Sequence, residues 1–225
     1  MDWNKSDYET PPREANLMAK LVLPTDKNIL EPFGGRGYLF DAIIKHLIDN
    51  QLNIPELYFN EVNQERYHCF FNKYFHNDIL RKKIVFSCSN FFLPDRSIKL
   101  HSYDLIITNP PFDDAIKGIK YSLPLLNDKP ESRLLFLLPI SFFSSQGRSK
   151  ELKELDCHIA EQYIIPWRID YLKDGVPMSK CQKEIDGVPQ FKNGKPVMCS
   201  GRQESDAVFC IKKGKNPNSP ISFLG

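Results

Sequence analysis

Short apolar runs alternate with amphipathic stretches along most of this chain, and the alternation constrains the fold more than any other feature. Seven apolar runs predict strands at residues 29–33, 57–59, 84–86, 104–108, 134–138, 161–165 and 207–211. Helical spacing of apolar residues predicts helices at 14–22, 38–49, 64–74, 115–126 and 147–155. Alternating strands and helices build parallel sheets covered by helices on both faces. We therefore expect an α/β fold with a doubly wound, mainly parallel seven-stranded sheet.

Composition argues against several other classes of protein. Of the 225 residues, 41% are hydrophobic and 12% aromatic, so the chain can bury a core and is not expected to be disordered. The longest apolar run, 134–140, is much shorter than the roughly 20 residues that cross a bilayer, and the polar N-terminus lacks an apolar signal core. Six cysteines without a Cys-x-x-Cys pair indicate neither a zinc site nor a disulfide framework. We expect a single domain over 1–225 in the reduced cytoplasm, without membrane or metal.

Residues 167–206 interrupt the alternation between the sixth and seventh predicted strands. The segment is rich in Gly, Pro, Lys and Asp, and Asn193-Gly194 predicts a hairpin tip. We interpret it as a hairpin-rich insertion that projects from the edge of the sheet.

The charge of the chain is uneven in the same region. Residues 167–225 carry a net charge of +4, whereas 1–166 carry −2. Basic residues interleaved with aromatic residues are typical of surfaces that hold a nucleic-acid strand. The candidate substrate contacts are Arg168, Tyr171, Lys180 and Lys183. The alternative is an ordinary solvated hairpin.

A glycine-rich turn follows the first predicted strand. Glu31 lies in that strand, and Gly34, Gly35 and Gly37 lead into the next helix. In a doubly wound sheet this turn is where a nucleoside cofactor binds. The Lys and Ser/Thr of a phosphate-binding loop are missing, and an acidic residue here would repel a pyrophosphate. Glu31 instead suits a cationic ligand, such as the ammonium or sulfonium group of S-adenosylmethionine. The alternative is a purely structural strand–helix turn.

Polar side chains also follow the second and third predicted strands. Glu61 can accept two hydrogen bonds from ribose hydroxyls. Asn90 can bond an adenine amine, and Phe91 can pack on the adenine ring. The alternatives are an exposed glutamate at a helix start and an ordinary turn asparagine.

The sequence Asn109-Pro110-Pro111-Phe112 directly follows the fourth predicted strand. Two prolines fix two φ angles, so the loop is stiff. The side-chain oxygen of Asn109 and the carbonyl of Pro110 remain as fixed acceptors, which suit the exocyclic amine of a planar base stacked on Phe112. Methyl transfer to such an amine is a direct displacement, catalysed by positioning and electrostatics. The alternative is a rigid turn that only ends the strand.

These motifs, in this order, resemble the S-adenosylmethionine-dependent N6-adenine DNA methyltransferases of the Asn-Pro-Pro-aromatic type, which occur in restriction–modification systems and phages. The resemblance covers residues 8–140 well and 158–212 loosely. It implies a Rossmann-like methyltransferase fold, S-adenosylmethionine as cofactor and DNA as partner. RNA adenine methyltransferases and protein-glutamine methyltransferases are alternatives within the same chemistry. A catalytically silent nucleic-acid-binding subunit is the alternative outside it, and we expect a monomer or weak dimer.

The resemblance also assigns roles to single residues. Residues 8–12 are similar to the family's N-terminal motif, in which the threonine, here Thr10, contacts the methionine carboxylate. The catalytic set implied is Asn109, Pro110, Pro111 and Phe112. The cofactor-binding set implied is Thr10, Glu31, Phe33, Gly34, Gly37, Glu61, Val62, Asn90 and Phe91. The family often has Asp at the position of Asn90, but Asn keeps an acceptor oxygen.

Overall fold

The computed structural model describes residues 8–93, 98–185, 188–199 and 204–216. Its α-helices are α1 (Pro12–Ala19), α2 (Tyr38–Asp49), α3 (Gln64–Phe75), α4 (Asp78–Arg81), α5 (Ala115–Ser122) and α6 (Gln146–Glu154). The first six strands are β1 (Asn28–Glu31), β2 (Glu56–Asn60), β3 (Ile84–Ser87), β4 (Leu105–Thr108), β5 (Arg133–Pro139) and β6 (Cys157–Ile164). Six two-residue strands, β7 to β12, precede the last strand, β13 (Asp206–Lys213).

One seven-stranded sheet runs through the molecule in the order β3-β2-β1-β4-β5-β13-β6. Strands β1 to β5 pair in parallel, and β13 pairs antiparallel with both β5 and β6. The predicted mainly parallel seven-stranded sheet is therefore confirmed. Strand β1 lies between β2 and β4, so the chain winds outward in both directions from the β1–β4 pair. A ligand crevice forms at such a switch point, beyond the carboxyl ends of the strands.

The sheet divides the core into two layers, because successive strand residues point to opposite faces. Ile29 and Ile107 pack with α1, α2 and the α3 residue Phe70 on one face. Leu30 and Ile106 pack with α5 and α6 on the other face. All four residues of β4 are buried, as expected for a strand covered on both sides.

Several element boundaries differ from the prediction, and the largest differences are at the end of α5 and at the start of β6. The helix expected over 115–126 ends at Ser122 and continues as a short 3-10 turn, Leu123–Leu125, because Pro124 has no N–H for an α-helical bond. Strand β6 begins at Cys157 instead of residue 161. Cys157 and Ile159 are buried while His158 and Ala160, which alternate with them, are less buried, so this start is visible only as a weak alternation.

The described part of the insertion 167–206 contains three antiparallel strand pairs. The first is β7 (Leu172–Lys173) with β8 (Val176–Pro177), and the second is β9 (Glu184–Ile185) with β10 (Val188–Pro189). The third is β11 (Phe191–Lys192) with β12 (Lys195–Pro196). The last pair turns at Asn193-Gly194, both with positive φ, so the predicted hairpin tip is confirmed.

The prediction that the whole insertion projects from the sheet edge is wrong for its first part. Ile169, Tyr171 and Met178 are buried in the same cluster as α1 and α2. These three apolar side chains are too few to form a periodic pattern, so the sequence does not reveal that this part of the insertion packs into the core. Residues 186–187 and 200–203, including the basic Arg202, lie outside the described part of the insertion. In the described ranges, no helix is long and apolar enough to span a membrane.

A buried ion pair joins the loop after α1 to the start of β5. Both guanidinium Nη atoms of Arg133 donate to the carboxylate of Asp26 at 2.9 Å, and Nη2 also donates to the carbonyl of Leu21 at 2.8 Å. The side chains are 7% and 1% exposed. Removing one partner of a buried pair leaves the other charge without compensation.

We expect Asp26→Asn to lower the free energy of unfolding by about 3 kcal/mol, because Arg133 would remain buried and charged. The measurement is urea unfolding followed by circular dichroism. Asp49→Asn is the matched control, since Asp49 pairs with Lys45 on the exposed face of α2. A change for Asp26→Asn as small as the roughly 0.5 kcal/mol expected of the control would contradict the role of the pair.

Candidate active site

Two cavities that share wall residues lie at the carboxyl ends of the central parallel strands. The larger has a volume of ≈ 310 Å³ and the smaller ≈ 20 Å³. Both are lined by Tyr8, Glu9, Phe33, Gly35 and Asn109. The larger extends toward Glu61 and Asn90, and the smaller toward Thr10 and Glu31. The structure therefore brings most of the predicted cofactor residues to one crevice.

Glu31 is a buried carboxylate at the end of β1. It is 2% exposed, and its Oε2 has no hydrogen-bond partner among the described residues. Burial raises the pKa of Glu31 well above its usual value, and the nearby carboxylates of Glu61 and Asp41 raise it further. A buried carboxylate without a cation is a fitting place for the ammonium group of S-adenosylmethionine.

Glu61, at the end of β2, is fixed by backbone hydrogen bonds. Its Oε2 accepts from the N–H of Gly35 at 2.7 Å, and its Oε1 from the N–H of Asn63 at 2.7 Å. Each carboxylate oxygen has a further lone pair. Glu61 can therefore hold ribose hydroxyls while it keeps the glycine loop in place.

The three glycines of the loop have different roles. A Cβ on Gly34 would lie 2.2 Å from Phe59, and one on Gly37 would lie 2.0 Å from Phe70. Gly37 also has φ of +84° and lines neither cavity, so it serves chain direction and packing. Gly34 lines the smaller cavity. Gly35 lines both cavities but is not in the predicted cofactor-binding set. Its position between Gly34 and Gly37 is the sequence signal that could have identified it.

Three aromatic rings and one asparagine form the end of the larger cavity that lies near β3. Phe33 packs against Phe91 and Phe92, with ring centroids 5.3 and 5.7 Å apart. The Oδ1 of Asn90 accepts from the N–H of Phe92 at 3.0 Å, which holds the turn. Val62, 65% exposed, also lines this cavity. The predicted adenine-contacting residues thus share a wall of the cavity.

Asn109 follows β4 and is 9% exposed. Its Nδ2 donates to the carbonyl of Tyr8 at 3.5 Å, and this bond orients the amide. The amide Oδ1 is buried and has no hydrogen-bond partner within the described ranges. Pro110 is buried and Pro111 has φ of −53°, so the loop is rigid where the acceptor is needed.

Phe112 borders a second open region. A cavity of ≈ 410 Å³ is lined by Tyr8, Phe112, Pro139, Phe142 and Arg148, among others. Phe112 is half-buried and begins a 3-10 turn, Phe112–Asp114. A flat, partly open aromatic face beside a cavity of this size can stack on a nucleobase.

Tyr171 is buried, which differs from the open substrate contact expected from its sequence. It is 2% exposed, stacks on Tyr8 at 5.9 Å, and meets Phe112 edge-on at 6.2 Å. A local sequence pattern of basic and aromatic residues does not show that the side chain of Tyr171 is buried. Arg168, Lys180 and Lys183 are exposed, as a substrate contact requires.

The prediction also missed a group of charged residues at the cavity walls. Glu9, Arg36 and Arg66 each line at least one of the two cavities. They are far apart in the chain and share no motif, so no sequence signal groups them.

Residues 3–139 match the model of the N-6 DNA methylase family. The chain belongs to this family. The cofactor of this family is S-adenosylmethionine, and the motif order in the matched region places the glycine loop before Asn109-Pro110-Pro111-Phe112. No curated protein sequence matches the chain.

Solved structures that share this fold include methyltransferases. A Listeria monocytogenes protein, described as a class I S-adenosylmethionine-dependent methyltransferase, is 16% identical with a TM-score of 0.64. The match covers 100% of this chain and 66% of the Listeria protein. The type I restriction-modification methyltransferase subunit of Streptococcus thermophilus is 14% identical with a TM-score of 0.60, covering 93% of this chain and 45% of the subunit.

A Vibrio vulnificus protein, described as a modification subunit of a type I restriction enzyme, is 13% identical with a TM-score of 0.61. The match covers 95% of this chain and 46% of that protein. The chain therefore spans about two thirds of the Listeria protein and less than half of either restriction subunit. These similarities show the Rossmann-like fold of this methylase.

The raised pKa of Glu31 predicts that cofactor binding releases a proton. A cation beside Glu31 favours its carboxylate, so the affinity for S-adenosylmethionine should rise with pH until Glu31 is ionised in the free protein. The slope is at most about tenfold per pH unit. Calorimetry in buffers with different ionisation enthalpies measures the released proton, and Glu31→Gln should abolish that release. The same proton release in both proteins would contradict the assignment.

Proposed function

We propose that this methylase transfers the methyl group of S-adenosylmethionine to the exocyclic N6 amine of adenine in DNA, with the base flipped out of the duplex. The observation that carries the proposal is the buried Oδ1 of Asn109, which has no hydrogen-bond partner among the described residues, on a residue that lines both cavities of the cofactor crevice. A buried acceptor without a donor costs about 1–3 kcal/mol, and a donor on the substrate removes that cost.

The chain's residues act on the amine by positioning. The Oδ1 of Asn109 and the carbonyl of Pro110 accept the two amine hydrogens, which directs the nitrogen lone pair out of the ring plane. Phe112 holds the base by stacking. The bound cofactor supplies an electrophilic methyl group on a sulfonium. Because the acceptors are fixed before the base arrives, no reorganisation is needed during the transfer.

The residues of loop 109–114 also favour an exocyclic amine over a ring carbon. Attack at cytosine C5 uses a cysteine thiolate, and this loop contains none. Buried Cys157 and Cys210 have pKa values raised to about 11 by burial, so neither is a ready thiolate. Direct displacement on an amine is the chemistry that remains for this loop.

The proposal assigns duplex contacts to the insertion 167–206 within a single methyltransferase domain. Arg168, Lys180 and Lys183 are exposed and can neutralise phosphates that flank a flipped base. Tyr171 would act indirectly, by supporting Phe112 from its edge. RNA in place of DNA is the alternative substrate.

Asn109→Ala should reduce methyl transfer by about 10²–10³-fold, the effect of losing one preorganised polar group. Its affinity for S-adenosylmethionine should change little, because the proposed contact is to the base. Single-turnover kinetics with labelled cofactor on mixed genomic DNA measures the rate, and calorimetry measures the affinity. Phe112→Tyr is the control that keeps an aromatic face and should retain much of the activity. Full activity of Asn109→Ala would refute the mechanism.

Charge reversal at Lys180 and Lys183 tests the insertion separately. Each lost phosphate contact should lower the slope of log affinity against log salt by about 0.9 on duplex DNA. Fluorescence anisotropy with a labelled duplex at several salt concentrations measures that slope. Charge reversal at Lys20 and Lys82, which are both exposed, is a control of equal charge. If both double variants gave the wild-type slope, the binding face would lie elsewhere.

A further inference from the structure

The carboxylate of Glu9 connects three separate parts of the chain. Its Oε1 lies 3.1 Å from the Nε of Arg36 and 3.5 Å from the Nε of Arg66. Its Oε2 accepts from the backbone N–H of Gly175 at 3.0 Å. The Glu9 side chain is only 2% exposed, so these contacts are shielded from water and from salt.

The three partners belong to elements with different functions. Arg36 lies in the glycine loop, whose Gly35 N–H bonds to Glu61. Arg66 lies in the first turn of α3, which begins just after Glu61. Gly175 lies at the turn between β7 and β8, the first hairpin of the insertion. Glu9 therefore joins the cofactor loop to the insertion.

The first hairpin is held by further contacts at the same place. The backbone N–H groups of Glu9 and Leu172 each donate to the other residue's carbonyl, at 2.9 and 3.1 Å. Asp174, in the hairpin turn, lies 3.5 Å from Arg66 Nη2 and 3.7 Å from Arg36 Nη2. Contacts with Glu9 and with the two arginines therefore hold the first hairpin in place.

The same series of contacts extends from the first hairpin to loop 109–114. Tyr171 directly precedes β7 and meets Phe112 edge-on. Tyr8 directly precedes Glu9, stacks on Tyr171 and accepts the amide hydrogen of Asn109. A continuous series of contacts therefore runs from the glycine loop through Glu9 to both residues proposed to hold the base.

The favourable contacts of Glu9 offset its burial only in part. The pKa of Glu9 is raised by burial and, to a lesser degree, by Asp174, although Arg66, the N–H of Gly175 and Arg36 act to lower it. A buried charge of this kind is stable only while its partners stay in place. The arrangement is therefore sensitive to movement of any of its arms.

We propose that Glu9 is a positioning residue that couples cofactor binding to the placement of residues 171–178, and through them to binding of the target base. The coupling to the base rests on the proposed function; the coupling to the hairpin does not. Because coupling between two sites is reciprocal, cofactor should tighten duplex binding by the same factor that duplex tightens cofactor binding.

Hydrogen exchange read by mass spectrometry tests the coupling without nucleic acid. S-adenosylhomocysteine should slow exchange in residues 171–178 of the wild-type protein by about fivefold or more. In Glu9→Gln, which keeps the size and an acceptor but not the charge, the slowing should fall to about twofold or less. Asp49→Asn, on the exposed face of α2, is the matched control and should behave as wild type. Unchanged slowing in a folded Glu9→Gln protein would overturn the proposal.

A second variant covers the case in which Glu9→Gln fails to fold. Asp174 is 59% exposed, and asparagine tolerates its positive φ. Asp174→Asn therefore removes the ion pairs of the hairpin with Arg36 and Arg66 without burying a new unpaired group. Its cofactor-dependent slowing should be lower than that of wild type, and an equal slowing would count against the coupling.

The coupling to the target base is tested by measuring duplex affinity with and without S-adenosylhomocysteine. The wild-type ratio should be about fivefold or more, and the ratio for Glu9→Gln or Asp174→Asn should approach one. A wild-type protein that shows the hairpin effect but binds no duplex would refute the proposed function and leave the Glu9 coupling intact. A wild-type ratio of one in a duplex-binding protein would refute the coupling to the base.

Discussion

Parallel pairing of β1 with β4 at the centre of the sheet is the constraint on which the site depends. Ile29 pairs with Leu105 and Leu30 with Ile106, so both strands end at the same crevice. Glu31 is the last residue of β1, and Asn109 follows β4 directly. Any change of register would separate the carboxylate of Glu31 from the amide of Asn109. The burial of these strands on both faces makes such a change costly.

The buried polar atoms at this crevice that have no hydrogen-bond partner among the described residues include the Oε2 of Glu31 and the Oδ1 of Asn109. Each costs about 1–3 kcal/mol in the absence of a donor. The surrounding apolar layers supply the stability that tolerates this cost. A site arranged in advance gains on binding what it lost on folding, since a donor arrives where an acceptor already points.

Local patterns predicted the sheet and the motif residues because these depend on neighbours in sequence. The apolar run of β4 and the two prolines after it show both burial and stiffness within a few residues. The inward orientation of Tyr171 and the packing role of Gly37 depend on Tyr8 and Phe70, which lie elsewhere in the chain. The grouping of Glu9 with Arg36 and Arg66 depends on the folded sheet in the same way. Such long-range contacts leave no periodic signal in a single sequence.

The identity of the methylated nucleoside tests the central claim most directly. Mixed genomic DNA incubated with the protein and labelled S-adenosylmethionine would be digested to nucleosides and analysed by mass spectrometry. The site predicts label in N6-methyldeoxyadenosine, because Asn109 and Pro110 present acceptors to an exocyclic amine beside Phe112. Label only in a methylated cytosine, or in RNA or protein offered in the same assay, would contradict the claim, as would the absence of transfer by a protein that binds the cofactor.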